Sequence, residues 1–204
     1  MTIAKGRPWG EAQPLPEDGV IVGTDAEAAG VVAAAREAGA RVPTIGLLGG
    51  DLCRTLGGRG EVARLRSARA VTFPIDLGVV VADGRSHLFV AHAIARNRVW
   101  TRAVVVMNAQ WIGPWNAGPR AHPNDGLLDA YEARVALGDV RQIRRRALTG
   151  SHLPHPGIRE RRSPSCRFSL APPLGLWLDG VAVAGGPVSD LRIEVEPDAL
   201  RVVV

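Results

Sequence analysis

From Ala70 to Val204 the chain is a succession of short apolar runs, each closed by Gly, Pro, Asn or Asp. No other feature restricts the fold as strongly. Runs at Val71–Val81, His87–Ala95, Trp100–Asn108, Leu128–Ala136, Ser165–Leu170, Leu174–Leu178, Leu191–Val195 and Leu200–Val204 predict strands. Strands at this spacing predict a mainly antiparallel β-sandwich over residues 70–204. Ala82-Asp83-Gly84-Arg85 predicts a hairpin turn, and Leu137–Ala147 a short helix.

Residues 17–69 have a different texture. Gly19–Val22 reads as a strand, Ala26–Ala38 as an alanine-rich helix with Asp25 as N-cap, and Val42–Leu48 as a second strand. Gly49-Gly50-Asp51 then opens a helix over Leu52–Leu56. Two strand-turn-helix units in a row predict a parallel α/β layer. Residues 1–16, with Pro8, Pro14 and Pro16, predict an irregular lead that Trp9 pins to the body. Gly23, Asp25, Gly49, Gly50 and Asp51 sit where each strand gives way to its helix. Backbone N–H groups at such ends can cradle phosphate, although a tight turn needs the same residues.

The densest turn chemistry lies in Gly118–Asp129. Asn124-Asp125-Gly126 tolerates left-handed backbone, and Asp125 can accept a hydrogen bond from its own downstream backbone. The same carboxylate, beside unclaimed carbonyls, can hold a hard cation such as Mg2+ or Ca2+. Asp179-Gly180 likewise reads as a hairpin turn between apolar strands, or as a carboxylate offered to a substrate proton.

Composition narrows the partners. A hydrophobic share of 46% in 204 residues gives enough apolar material for one good core. The formal charge is +5, and Lys5 is the only lysine. Arginine binds phosphate in a bidentate manner. The stretch 141–162 (Arg141, Arg144, Arg145, Arg146, Arg159, Arg161, Arg162) therefore suits either solvent or an anionic lipid surface. No helix-turn-helix, zinc knuckle or aromatic-interleaved RNA motif is present, so no nucleic acid is expected. No apolar run reaches the length of a membrane span, and residues 1–8 do not read as a signal peptide, which predicts a cytoplasmic protein. Cys53 and Cys166 read as small buried hydrophobes, and His152 and His155 as loop residues.

Met107-Asn108-Ala109 and Pro123-Asn124-Asp125-Gly126-Leu127-Leu128-Asp129 together resemble the bacterial diacylglycerol kinase and lipid kinase family. Ile75-Asp76-Leu77-Gly78 is similar to the entry of that family's C-terminal domain, and the resemblance runs from about Val20 onward. It implies a structural Mg2+ on Asp125 with the Leu127 carbonyl as donor. It also implies Asp179 as general base for a lipid hydroxyl, and ATP at the Gly23 and Gly49 turns. Asn124 and Ala109 depart from the family's Asp and Gly, and Val181 replaces the acid after Asp179-Gly180.

The nucleotide motifs depart further. Gly23-Thr24-Asp25-Ala26-Glu27 stands for Gly-Gly-Asp-Gly-Thr. Leu47-Leu48-Gly49-Gly50-Asp51-Leu52-Cys53-Arg54 stands for Gly-Thr-Gly-Asn-Asp-Leu-Ala-Arg. Ala26 obstructs close phosphate approach if that site needs positive φ, and Glu27 repels a triphosphate. A βαβ unit takes about 30 residues, so little room precedes the first glycine turn. The expectation is an α/β remnant of a nucleotide-binding domain followed by the β-sandwich, with phosphoryl transfer weak or lost. The remaining role would be binding of a lipid or a partner, self-association included. An active, ATP- and Mg-dependent lipid kinase is the rival reading.

Overall fold

The computed structural model describes residues 9–204. Residues 1–8, which include Lys5, Pro8 and the stretch read above as free of a signal peptide, lie outside the described residues.

The first part runs β1 (Glu11–Ala12), β2 (Val20–Val22), α1 (Asp25–Glu37), β3 (Ile45–Leu47), α2 (Gly50–Thr55) and α3 (Val62–Leu65). β2 and β3 pair in parallel, as a strand-helix-strand crossover requires. β1 pairs antiparallel with the strand that begins at Val71, so the lead is not wholly irregular. Trp9 packs at a tilt against Phe73 and His122, at centroid distances of 4.5 and 4.6 Å, which pins it as expected.

The second part runs β4 (Val71–Ala82), β5 (Arg85–Phe89), β6 (His92–Arg96), β7 (Arg102–Met107), β8 (Trp111–Ile112), β9 (Trp115–Asn116) and β10 (Leu128–Arg134). Then come α4 (Leu137–Ala147), β11 (Ile158–Ser163), β12 (Ser165–Leu178), β13 (Val181–Ala182) and β14 (Val188–Val203). The main sheet follows β1-β4-β14-β12-β6-β7-β10-β11, and these neighbours pair antiparallel. β12 links the two halves. Its first part pairs with β14 and its last part with β6, and the register shifts between Ser169 and Leu174. Pro172 and Pro173 fall in that gap, where no ladder N–H is needed. Cys166, Phe168 and Leu170 are buried while Ser165, Arg167 and Ser169 are exposed, the period of two that a one-sided strand demands. The inward faces of both halves share one core, with Val80 and Phe89 from one side and Val106 and Leu128 from the other. At Gly78 the Phe89 ring lies where a Cβ would sit, so β4 and β5 close only over a glycine here.

The expected β-sandwich character is thus present, with few helices. β3 also pairs in parallel with the end of β14, so the α/β segment extends the same sheet. Several expectations need correction. The N-cap of α1 is Thr24, whose hydroxyl accepts from Glu27 N at 3.2 Å, because the Asp25 carboxylate is engaged elsewhere. The run His87–Ala95 is two strands, broken at Val90-Ala91. The paired runs 165–170 with 174–178, and 191–195 with 200–204, are the single strands β12 and β14. β11 lies inside the arginine-rich stretch, which carried no strand signal.

Candidate functional site

The turns after β2 and β3, the β5–β6 corner and the β12–β13 hairpin converge. Asp25 turns away from its own helix and caps the next one. Its Oδ2 accepts from Asp51 N at 2.5 Å and its Oδ1 from Leu52 N at 3.2 Å. Gly50 adopts φ of +93°, and a Cβ there would collide with that carboxylate. Asp51 Oδ2 meets His92 Nε2 at 2.9 Å, and Asp51 Oδ1 accepts from Gly113 N at 2.8 Å. Asp179 sits at φ of +48° in its hairpin turn and reaches back across the corner. It accepts from Val90 N at 2.8 Å, Ala91 N at 2.9 Å and His92 N at 3.0 Å. Those bonds explain the break in the expected 87–95 strand.

The electrostatics follow from this crowding. Burial, then the charges of Asp179 and Asp51, push Asp25 up to about 7, against hydrogen bonds from Asp51 N and Leu52 N. Burial also pushes Asp179 up, against the His92 charge and its three N–H donors. Burial alone would lower His92, but the Asp51 hydrogen bond and the carboxylates of Asp179, Asp51 and Asp25 together hold it above its ordinary value.

The phosphate cradle is filled from within. Glu27 Oε2 accepts from Gly23 N at 2.7 Å, and Asp25 takes the N–H groups of Asp51 and Leu52. A phosphate offered to either helix start would meet a carboxylate. At an effective dielectric of about 20, two like charges about 4 Å apart cost about 4 kcal/mol. A helix N-terminus returns only about 0.3–2 kcal/mol. As arranged, Gly23, Gly49, Gly50 and Asp51 do not fit a triphosphate.

The 118–129 turn forms as read, with Gly126 at φ of +71° and Asp125 Oδ1 accepting from Leu127 N at 3.0 Å. The other Asp125 oxygen is ion-paired to Arg162, whose Nε is 3.7 Å from Asp129 Oδ1. Leu127 gives its N–H to the turn. Behind it, Asp76 is fully buried and accepts from Gly126 N at 2.7 Å and Asp198 N at 2.9 Å. Asn108 Nδ2 donates to Asp76 O and Val90 O, each at 2.8 Å, and so ties this turn to the Asp179 corner. With Asp125 engaged by an N–H and a guanidinium, the donor set as it stands does not fit a divalent cation.

A third feature is apolar. α4 covers a cavity of about 120 Å3 whose walls include Trp100, Trp115, Tyr131, Ile143 and Ile158. Arg144 overhangs it, 5.5 Å from the Trp100 ring and 5.9 Å from the Trp115 ring. His152 is buried in its wall, while His155 Nδ1 only accepts from Gly157 N at 3.0 Å. No described helix is long and apolar enough to cross a membrane.

Residues 61–204 match the family described as the YegS C-terminal NAD kinase beta sandwich-like domain. The chain belongs to that family. Among solved structures, one described as a diacylglycerol kinase from Bacillus anthracis strain Sterne is similar over 91% of this chain and 75% of its own, at 16% identity and a TM-score of 0.60. A provisionally named diacylglycerol kinase from the same strain covers 91% of this chain and 77% of its own, at 16% identity and a TM-score of 0.64. At that identity the likeness is one of fold. Taken with the family match over residues 61–204, it agrees with the expected relation to the diacylglycerol kinase and lipid kinase family. No curated protein matches the chain.

Within this YegS-type domain, sequence reasoning missed His92, a lone histidine opening an apolar strand. It also missed Arg162 as the partner of Asp125, because nothing local marks a pair 37 positions apart.

Proposed function

We propose that this family member is a lipid-kinase-like binding protein in which ATP-dependent phosphoryl transfer is weak or lost. The observation that carries the reading is the occupation of both helix starts by internal carboxylates, Glu27 at Gly23 and Asp25 at Asp51. Phosphoryl transfer depends on positioning and on neutralising phosphate charge. Here Glu27 sets a carboxylate at one of those starts, and Asp25 already takes the N–H donors of the other.

Lipid binding rests on the cavity beneath α4. Each methylene moved from water into it gains about 0.8 kcal/mol. Arg141, Arg144 and Arg145 stand around the adjoining surface, placed for an anionic headgroup or a peripheral contact with an anionic membrane. The rival reading, an active kinase with Asp179 as base, draws on the convergence of Asp25, Asp51 and Asp179. Asp179 already takes three N–H donors, a job that suffices to explain its carboxylate.

Calorimetric titration with ATP and Mg2+ should give no heat at millimolar nucleotide. Binding that disappears in Asp51→Ala, with lipid phosphorylation to match, would establish the active kinase instead. In parallel, a fluorescent long-chain fatty acid should bind the wild type and bind at least tenfold more weakly to Ala103→Phe, which fills the cavity. Equal binding by both proteins would remove the cavity from the proposal.

A further inference from the structure

We infer that Arg162 replaces a divalent cation at the 124–129 turn, so that an internal guanidinium closes a turn built to be closed by a metal. The turn concentrates negative charge. The side chains of Asp125 and Asp129 are only 12% and 8% exposed, and Asp76 is fully buried close by. Most of the oxygens are taken. Asp76 serves Gly126 N and Asp198 N, and Asp125 Oδ1 serves Leu127 N. Of the oxygens left, Asp125 Oδ2 and Asp129 Oδ1 face the same guanidinium.

Sheet register delivers that guanidinium. β10 and β11 pair so that Asp129 lies directly opposite Arg162. Cross-strand neighbours of this kind have Cβ atoms about 5 Å apart. The planar fork of arginine can then span two carboxylates that a point charge would serve singly. The approach to Asp129 is thus fixed by backbone pairing, and the same guanidinium reaches Asp125 in the turn just before the strand. A divalent ion at the same oxygens would face the guanidinium's repulsion. Asn124, in place of a carboxylate, points the same way. Its Nδ2 donates to Asp198 Oδ1 at 2.8 Å and adds no further negative charge to the turn.

Thermal unfolding of the full chain tests this. The wild type, stripped with EDTA, should melt within about 1 °C of its value in millimolar Mg2+ or Ca2+. Arg162→Gln should melt about 3–6 °C lower in EDTA, an ordinary shift for a chain of this size that has lost one counter-ion. Added Mg2+ or Ca2+ should restore much of that loss. A wild type that loses stability in EDTA and regains it with Mg2+ would overturn the inference. An Arg162→Gln protein that melts like the wild type would do the same, as would a loss that neither ion repairs. If Arg162→Gln yields folded protein only when metal is present, the substitution is supported. If it yields none under either condition, the wild-type chelation result decides alone.

Discussion

Asp25 shows how one side chain can set a property of the whole molecule. In the fold it holds its proton up to about pH 7, against an ordinary value of 3.8. Between those values the folded state binds more protons than the unfolded chain. Stability therefore falls as pH rises across that window, by about 4 kcal/mol at most for a shift of this size. His92 acts in the same sense at higher pH. Its folded value lies above 6.5, so the stability it contributes is lost as pH climbs through that value. Asp25→Asn, which keeps an acceptor for Leu52 N or Asp51 N, should flatten the melting temperature between pH 4 and 7 by several degrees relative to wild type. Melting curves at four pH values would decide it. Parallel profiles for the two proteins would show that Asp25 is not the group responsible.

At the scale of elements, the sequence marked most helices and strands, and failed where one element borrows from another far along the chain. α1 was legible because thirteen residues of alanine-rich sequence start at a polar turn. Its cap was misread because α2, 26 positions on, claims Asp25. The β5–β6 break was invisible because Asp179, nearly ninety positions away, takes the N–H groups of Val90–His92. β11 was missed because Arg159–Arg162 are exposed and charged, which no local apolar pattern can flag. The Asp125 turn was legible in its geometry, since its hydrogen bond is two residues long, whereas its counter-ion was not. Thr24 offers a direct check on the corrected cap. Thr24→Ala should lower the melting temperature by about 2–4 °C, corresponding to a lost cap of about 1 kcal/mol. Thr24→Asn should leave it within about 1 °C of wild type, because Asn caps as well as Thr. If Thr24→Ala melts unchanged, Glu27 and its bond to Gly23 N hold the helix start without Thr24.

At the scale of the whole molecule, two of the sheet's edges are unlike. β11 carries Arg159, Glu160, Arg161 and Arg162, a charged border of the kind that discourages pairing with another sheet. β2 is Val20-Ile21-Val22, without a charge, and among the described residues it pairs on one side only, with β3. Val20 N is turned inward to Thr44 O at 3.0 Å, so the alternation of a strand directs the Ile21 N–H outward. Three residues give few hydrogen bonds, so an association through this edge would be weak and concentration-dependent. Light scattering coupled to size exclusion should therefore show a mean mass that rises with loading concentration. Val20 is 36% exposed, and Val20→Lys would place a charge on the edge without emptying the core. That variant should remain monomeric where the wild type does not. A wild type that stays monomeric at millimolar concentration would mean that the β2 edge is blunted by something other than charge, and the short length of the strand would then be its own protection.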